Sequence, residues 1–320
     1  MTNKCLIILV VLFISNSLFS QKIDNLSSFR DVENDHYFRF NYDNDFFSSS
    51  DKNYTQGYSF ELVLPVFEKN PINILFLKPK NYQSKFGLAI EHIGFTPDDY
   101  GSEEIQFGDR PFATAIYLKG FVINTNTLSK RRLTSSFNVG IIGPGAFGKE
   151  MQVEIHKATG NEIPLGWKHQ IKNDIVLNYE VGLEQQLYKY RQYFSIQAQS
   201  NAKLGTLFTN ASLGFNGSLG IINSAFSSEA KKDKFQLYFY SQIFGSVVGY
   251  DATLQGGLIT TDSPYTIATN DVKRFTGQYT YGFVLQTKGF YAEYTRTLIT
   301  RKFSRGDSAK WGGFKLGFTF

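Results

Sequence analysis

The sequence predicts an all-β protein: an antiparallel transmembrane β-barrel of about twelve strands, with a short helix in its third extracellular loop. Three observations predict this fold: an N-terminal stretch typical of exported proteins, a composition rich in aromatic residues and glycine, and a repeated alternation of apolar and polar residues. The 320-residue chain contains 31 Phe, 19 Tyr and 28 Gly, but only 8 Pro and 2 Met. This balance favours strands with aromatic belts over a helical bundle.

The first twenty residues have the pattern of a secretory signal peptide. Lys4 precedes an apolar run, which is followed by small and polar residues. Cys5, the single cysteine of the chain, lies within this segment, so the mature protein is expected to have no disulfide. No linker or shift in composition divides the remainder. We therefore interpret residues 1–20 as a signal peptide and residues 21–320 as one outer-membrane β-barrel domain.

Charge and hydropathy exclude two other classes of protein. The formal net charge of +5 is mild and dispersed, so it gives no indication of a nucleic-acid partner. The mean hydropathy is negative, and no second run of 18 apolar residues follows the signal peptide, which excludes a transmembrane helix. A barrel that crosses the membrane with strands is compatible with both observations.

The C-terminal segment shows the alternation most clearly. Apolar residues occupy every second position near the end of the chain: Phe314, Leu316, Phe318 and Phe320. Lys315, Gly317 and Thr319 fall on the other face, as expected of a strand that is apolar outside and small or polar inside. Outer-membrane barrels commonly end on an aromatic residue that the barrel assembly machinery recognises. We therefore expect that machinery to be a partner during biogenesis.

The same period of two predicts the other strands. The candidate strands are residues 36–45, 54–65, 84–95, 110–125, 131–143, 173–188, 190–205, 209–223, 233–250, 274–287, 289–301 and 311–320. Their number is even, as in single-chain bacterial barrels. Residues 251–259 could form another strand but are assigned to a long loop. A soluble β-sandwich would also alternate, yet it would need neither so many long strands nor a terminal aromatic residue.

Parity assigns the connections to the two ends of the barrel. With both termini in the periplasm, the connections after the first, third and fifth strands face the cell exterior. These connections and the strand ends beside them carry several polar clusters, including Asp43 to Asp45 and Gly108 to Pro111. The sequence therefore predicts that these clusters converge on one rim.

Residues 148–167 contain the one stretch that is typical of a helix. Apolar residues recur there at helical spacing: Phe147, Met151, Ile155 and Ala158. Gln152 and His156 lie four residues apart beside this stripe, and Gly160 provides a C-terminal stop. The stripe would pack on the barrel wall or dip toward lipid, which would present the amide and the imidazole to the groove between helix and barrel. Alternatively, His156 is a solvated residue on a loop helix.

Two familiar nucleotide and metal motifs fail on inspection. Residues 143–149 resemble a phosphate-binding loop, but Glu150 stands where Ser or Thr must bind magnesium. Asp43, Asn44 and Asp45 resemble the start of an EF-hand, but the required Gly and Glu do not follow. Oxygen ligands for a hard cation could still come from separate loops. The pair Asp109 and Arg110 would ordinarily be a structural ion pair.

The ordered set of motifs resembles a known family. The matching residues are Asn44-Asp45, Tyr54 to Gly57, Gly108 to Ala113, Gly143-Pro144, Gln152 with His156, Gly166-Trp167 and Gln170. In this order they resemble the outer-membrane lipid A 3-O-deacylases, calcium-dependent esterases that remove acyl chains from lipopolysaccharide. The resemblance covers most of the barrel, although after about residue 190 it rests chiefly on the strand pattern.

This resemblance implies a reaction and a set of site residues. The expected reaction is hydrolysis of an ester-linked acyl chain of lipid A, of the 3'-acyloxyacyl type, in the outer leaflet. His156 would activate a water molecule as general base, while bound Ca²⁺ would stabilise the oxyanion. The other implied assignments are Asn44, Thr55 and Gln152 as catalytic residues, Asp45 and Glu162 as calcium ligands, and Arg110 and Lys149 as substrate-binding residues. A monomer in the bacterial outer membrane is expected.

Two features depart from the family pattern. Some members carry a lysine ahead of the Gly-Asp-Arg segment, suited to a lipid A phosphate, whereas this chain has Gln106 and Phe107. Phosphate contact would then fall to Arg110, Lys149 or another cation. In addition, strand parity puts Asn44 and Asp45 on opposite faces, so a bulge would be needed for both to line one site.

Two other function classes remain open at this stage. A barrel phospholipase would need a nucleophilic serine beside a histidine, and Ser48, Ser49 and Ser50 lie near the predicted rim. A pore or purely structural barrel would explain the strands and the terminal Phe. It would not explain the helix that carries His156.

Overall fold

The protein is a closed antiparallel β-barrel of twelve strands. A computed structural model describes residues 23–48, 54–226 and 235–320. Each strand pairs with its neighbours along the chain, and β1 pairs with β12 to close the ring. The predicted fold class is confirmed. The predicted signal peptide, residues 1–20, lies outside the described residues.

The strand bounds agree with the prediction to within a few residues. The strands are β1 (Tyr37–Asn44), β2 (Gln56–Val63), β3 (Gln83–Phe95), β4 (Ala113–Asn126), β5 (Arg131–Ile142), β6 (Asp174–Tyr190), β7 (Phe194–Gly205), β8 (Phe208–Ile221), β9 (Phe235–Asp251), β10 (Phe275–Thr287), β11 (Phe290–Ile299) and β12 (Ala309–Thr319).

The alternation seen in the sequence separates the two faces of the wall. On β12, Phe318 is 51% exposed, whereas Lys315 points inward and is buried. On β1, Phe40 is half-buried on the outside and Arg39 is buried inside. Successive side chains of a strand point to opposite faces, so one register assigns every residue of the wall to the inside or the outside.

The connections differ in length at the two ends of the barrel. We call the end that carries the connections after β1, β3, β5, β7, β9 and β11 the loop end, and the opposite end the turn end. The loop end carries helix α1 (Gly148–Thr159), between β5 and β6, and the short helix α2 (Ala252–Gln255), directly after β9. The helix of the third loop and the long loop after residue 251 were both predicted. None of the helices in the described ranges is long and apolar enough to span a membrane.

The segment before β1 fills the interior of the barrel, which the sequence did not predict. The backbone N–H of Phe320 donates to the carbonyl of His36 at the turn end, where β1 and β12 meet. From there the preceding residues run back through the lumen, so that Ile23 packs in one apolar cluster with Tyr54 and Phe95 at the loop end. Residues 23–30 are therefore buried inside the barrel, whereas Asp35 and His36 are exposed at the turn end.

Buried ion pairs hold this segment in place. Arg30 donates to Glu293, with an Nη2 to Oε1 distance of 2.7 Å, and to the Tyr240 hydroxyl at 2.9 Å. Arg39 on β1 pairs with Glu61 at 2.7 Å and also donates to the backbone carbonyl of Arg30. Because these inward polar side chains are buried, they need hydrogen-bond partners. The lumen segment supplies many of those partners.

Removing one partner of this network should destabilise the barrel. We expect Arg30→Met to lower the free energy of unfolding by about 3–5 kcal/mol, because Glu293 would remain as an uncompensated buried charge. Arg301→Met, at an exposed arginine, should change it by less than about 0.5 kcal/mol. Urea unfolding in detergent micelles measures both values. Equal stabilities of the two variants would contradict the role assigned to Arg30.

Candidate active site

The outward wall at the loop end of β2, β3 and β4 forms the floor of the candidate site. Gln56 on β2 is paired with Gly94 on β3, and Gly94 is paired with Thr114 on β4. Paired residues lie about 5 Å apart. Thr114 shares the outward face of β4 with Leu118, which is 52% exposed. Gly94 has no side chain, so it leaves a gap between two polar residues.

Helix α1 lies across this wall. A Cβ atom at Gly148 would come within 2.0 Å of the Thr114 hydroxyl, so only glycine allows the first turn to approach β4 so closely. One turn later, the Met151 sulfur accepts a hydrogen bond from the Gln56 amide at 3.0 Å. The helix ends where predicted, because Gly160 adopts a left-handed conformation with φ of 71°.

The polar flank of α1 is buried, whereas the apolar stripe contacts the wall only through Met151. Gly148, Gln152 and His156 are four residues apart and buried, the two side chains being only 1% and 6% exposed. In contrast, Phe147 is 60% exposed and Ile155 is 38% exposed. The groove between helix and wall is therefore lined by an amide and an imidazole, and the two ends of the predicted apolar stripe are left exposed.

A tryptophan fixes the orientation of the Gln152 amide. The indole N–H of Trp167 donates to Gln152 Oε1 at 2.8 Å, so the Nε2 group must be the donor on the other side of the amide. That Nε2 is buried and has no hydrogen-bond partner among the described residues. Trp167 is itself packed on Phe112, with ring centroids 4.9 Å apart. The result is a rigidly held, unsatisfied N–H donor in the groove.

A backbone carbonyl fixes the tautomer of His156. Its Nδ1 lies 2.5 Å from the carbonyl oxygen of Glu162, which can only accept, so Nδ1 carries the proton. In the neutral ring, Nε2 then has the free lone pair. Tyr100 contacts the imidazole edge to face, with centroids 5.4 Å apart. This arrangement, with one ring nitrogen held and the other basic, suits a general base.

Glu162 contributes its backbone to this arrangement. Its carbonyl contacts His156, while its carboxylate lies on an exposed residue against the backbone of Gly101 in the preceding long loop. The prediction that this carboxylate binds calcium remains a prediction.

The end of β1 places Asn44 beside the same wall. Asp43 is paired with Gly57 on β2, and this register brings Asn44 next to Gln56. The Asn44 amide donates to the Tyr42 hydroxyl at 3.1 Å, so both side chains lie on the outward face. Asn44 therefore belongs to the polar row that continues under α1.

Asp45 follows Asn44 directly but lies outside the strand. A 3₁₀ turn, Asp45–Ser48, begins directly after β1, so the alternation of faces ends there without a bulge. The Asp45 side chain is fully buried. It is also near the Tyr54 phenol, whose pKa is raised chiefly by burial and further by neighbouring carboxylates that include Asp45. Beside Tyr54, the hydroxyl oxygens of Thr55 and Thr96 are 2.5 Å apart.

These residues offer oxygen donors of the kind that calcium prefers. Asp45, Asn44 and Thr55 can supply carboxylate, amide and hydroxyl oxygens. Within residues 23–48, 54–226 and 235–320, no group of three or more His, Cys, Asp or Glu side chains is placed to hold a metal ion. A calcium site here would therefore combine one buried carboxylate with neutral oxygens and water.

Comparison with known proteins decides the family. The family model described as outer membrane protein LpxR matches residues 6–320, nearly the whole chain. The chain belongs to the LpxR family. It is accordingly an outer-membrane protein, and its outward wall faces lipid.

Solved structures agree with this assignment at the level of the fold. LpxR from Salmonella typhimurium matches with a TM-score of 0.72 at 18% identity, covering 89% of this chain and 100% of that one. The β domain of the Bordetella autotransporter BrkA covers 89% of this chain and 99% of that one at 8% identity, but its TM-score of 0.42 is too low to carry an argument. A search of the curated proteins found no match.

In this member of the LpxR family, Arg110 lies inside the loop end of the barrel. The side chain is 2% exposed, and its guanidinium stacks 4.0 Å from the centre of the Phe95 ring. It also donates to the Thr253 hydroxyl at 3.3 Å. Burial lowers the pKa of Arg110 to about 10. The neighbouring Asp109 carboxylate accepts from backbone N–H groups, including that of Asp98 at 2.7 Å.

Lys149 is the more accessible of the two predicted substrate-binding cations. It is exposed in the first turn of α1, next to Gly148 and the wall. Phe107, directly before the Gly108 to Pro111 segment, is 78% exposed and packs edge to face on Tyr265. Lys149 is therefore exposed on the same helix as the groove residues Gln152 and His156, whereas Arg110 is buried.

Sequence reasoning missed His92, which anchors the start of the third loop. This residue is outward-facing on β3 but fully buried, stacked on Tyr58 with ring centroids 4.8 Å apart. Its Nε2–H donates to the Ala146 carbonyl at 3.0 Å, two residues before α1. The available signal was its parity, because a histidine in an outward row of a membrane strand requires a polar partner.

Loss of this anchor should loosen α1. In His92→Leu the buried Ala146 carbonyl would lose its donor, at a cost of about 1–3 kcal/mol. We expect faster amide exchange in residues 148–159, measured by hydrogen–deuterium exchange mass spectrometry. His92→Gln, which can return an N–H near the position of Nε2, should restore part of the protection. Ile90→Leu, on the same outward face, is the control. Equal exchange in His92→Leu and this control would exclude the anchoring role.

Proposed function

We propose that the protein is a lipid A deacylase, a carboxylic ester hydrolase that removes an ester-linked acyl chain of the 3'-acyloxyacyl type in the outer leaflet. One observation carries this proposal. His156, with its Nδ1–H held by the Glu162 carbonyl, shares a groove on the lipid-facing side of the barrel with the unsatisfied Gln152 amide. Membership of the LpxR family supports it.

His156 acts as the general base in this proposal. Its Nε2 lone pair takes a proton from a water molecule, and the water oxygen attacks the ester carbonyl carbon. The carbonyl of Glu162 stabilises the imidazolium that forms, because it still accepts from Nδ1–H. When the tetrahedral intermediate collapses, the same proton can return to the leaving alkoxide of the sugar. The products are a free carboxylic acid and a sugar hydroxyl.

Gln152, Asn44 and Thr55 orient the reactants. The Gln152 Nε2–H can donate to the attacking water or to the ester oxygen, since Trp167 prevents the amide from turning over. Asn44 ends β1 and Thr55 directly precedes β2, the strand that is paired with β1. Fixed donors of this kind stabilise developing charge efficiently, because they need no reorganisation during the reaction.

Calcium is proposed as the cofactor, with Asp45 as its buried carboxylate ligand and Glu162 as a further candidate. When bound, the ion would supply charge stabilisation for the developing oxyanion. The neutral oxygens at the end of β1 fit a hard cation. For the phosphate groups of lipid A, we propose Lys149 as the primary contact, with Arg110 shaping the loop end behind the groove.

The two rival functions have less support. The family membership of the chain favours the deacylase over a phospholipase. A phospholipase would need a serine at His156 Nε2, and Ser49 and Ser50 lie outside the described residues, so labelling with a serine-reactive probe distinguishes the two. A pore would need an open lumen, whereas the segment with Arg30 occupies it.

The decisive experiment removes the basic nitrogen of His156 and keeps the hydrogen bond to the Glu162 carbonyl. His156→Asn keeps an N–H that can reach the Glu162 carbonyl but has no basic nitrogen in the groove. We expect mass spectrometry of lipid A from cells that express the wild type to show loss of one acyloxyacyl group. His156→Asn and His156→Ala should show no loss of this group. The heat-modifiable mobility of both variants in gel electrophoresis should show that their barrels are folded. Wild-type product from His156→Asn would refute the proposed base.

The orienting donor can be tested on the same helix. Gln152→Leu removes the buried Nε2–H at similar volume, and we expect turnover to fall by about a hundredfold. Glu150→Gln, at an exposed position of α1, should leave turnover unchanged. Rates of acyl release in micelles compare the two, and an unchanged rate in Gln152→Leu would remove this residue from the mechanism.

Removal of calcium should abolish acyl release, and re-addition should restore it. Asp45→Asn should require more calcium for half-maximal rate, because the site loses its charged ligand. Calorimetric titration of calcium into His156→Asn provides a readout that is independent of catalysis. Full activity in excess chelator would contradict a calcium-dependent mechanism.

A further inference from the structure

Helix α1 has an apolar face that the described protein contacts only through Met151, whose sulfur accepts a hydrogen bond from Gln56. We call Phe147, Met151 and Ile155 the apolar edge of α1. Phe147 is 60% and Ile155 is 38% exposed, and Met151 is half-buried. The buried contacts of the helix are made instead by Gln152 and His156. A helix docked on a soluble protein would normally bury its apolar residues and expose its polar ones.

The opposite side of α1 is suited to water. Lys157 and Glu154 form an ion pair of 2.7 Å with side chains 59% and 70% exposed. Glu150 is also exposed. Viewed along its axis, α1 therefore has three sectors: one against the barrel, one apolar and largely exposed, and one charged. This division is that of a helix lying at a membrane surface with its apolar sector in the acyl chains.

The apolar edge is continuous with the lipid-facing wall. A Cβ atom at Gly145 would lie 2.9 Å from the Ile141 side chain, so the loop leaves β5 directly over an outward apolar residue. Beside it, Val139 is 43% and Ile175 is 51% exposed on the outward faces of β5 and β6. The lipid-facing apolar surface of these strands thus extends up to the loop that leads into the apolar edge, where Asn173 accepts a hydrogen bond from the Gly145 N–H.

We propose that the apolar edge of α1 is immersed in the acyl chains of the outer leaflet, and that the catalytic groove consequently opens into the membrane plane. The immersion is independent of the reaction, whereas its consequence for substrate entry rests on the proposed deacylase function. An ester of a lipid resident in that leaflet reaches His156 laterally, and the released acyl chain returns to the same leaflet. Lys149 and the charged sector remain at the level of the headgroups.

The depth of α1 can be measured because the mature chain contains no cysteine of its own: Cys5, the single one, lies in the predicted signal peptide. Spin labels are placed at Phe147→Cys and Ile155→Cys, with Glu154→Cys as the control on the charged sector. The protein is reconstituted in phospholipid vesicles that contain lipopolysaccharide. Collision with oxygen and with a water-soluble nickel chelate then reports whether each label lies in lipid or in water.

We expect the labels at positions 147 and 155 to collide readily with oxygen and about tenfold less often with the nickel chelate than the label at position 154. Equal access of the chelate to all three labels would overturn the proposal. Dipolar broadening between labels at position 147, removed by dilution with unlabelled protein, would overturn it in favour of a second copy of the chain as the occupant.

A kinetic test addresses lateral entry. Phe147→Asn suits the left-handed backbone at this position, where φ is 60°, and Ile155→Gln keeps a good helix former. The double variant should deacylate lipid A in vesicles about tenfold more slowly, while hydrolysis of a monodisperse short-chain ester is unchanged. Equal losses on both substrates would overturn lateral entry. If the wild type hydrolyses neither substrate, the deacylase proposal fails while the label depths stand on their own.

Discussion

The hydrogen-bonded ladder between β1 and β12 is the constraint on which the rest of the structure depends. Tyr37 to Asn44 pair with Thr319 to Gly312 in an unbroken register, and this pairing removes the last free sheet edges. A closed sheet divides its side chains strictly into an inner and an outer set. The polar side chains of the inner set must then find hydrogen-bond partners away from bulk water, and the side chains of the outer set must be compatible with lipid.

Both consequences are met by segments outside the strands. Inside, Arg30 from the N-terminal segment pairs with Glu293, so the lumen becomes a packed polar core instead of a channel. Outside, the polar residues Gln56 and Thr114 would be out of place against lipid, but α1 covers them with Met151 and Gly148 and brings the buried Gln152 and His156 to the same side of the barrel. The candidate site is thus the place where an outward wall is polar and is covered by a helix that carries a buried amide and imidazole.

The strands were predictable because their signal is local. In β12 a period of two over ten residues is enough to separate Phe318 from Lys315, and no distant contact alters that assignment. The site was only partly predictable. His156 and Gln152 could be named from helical spacing and expected in the groove, but that spacing left open whether the apolar stripe packs on the wall or dips toward lipid. His92 was missed because its partner, the Ala146 carbonyl, is a backbone atom 54 residues away.

The sequence by itself determined which residues alternate, where α1 ends and which polar residues lie near the loop end, because strand period and the αL preference of Gly160 are properties of neighbouring residues. Only the tertiary structure decided that Asp45 is buried in a 3₁₀ turn, that the segment from Ile23 enters the lumen, and that α1 contacts the wall through Gly148 and Met151. Each of these depends on contacts between distant segments, whose energies no local pattern contains.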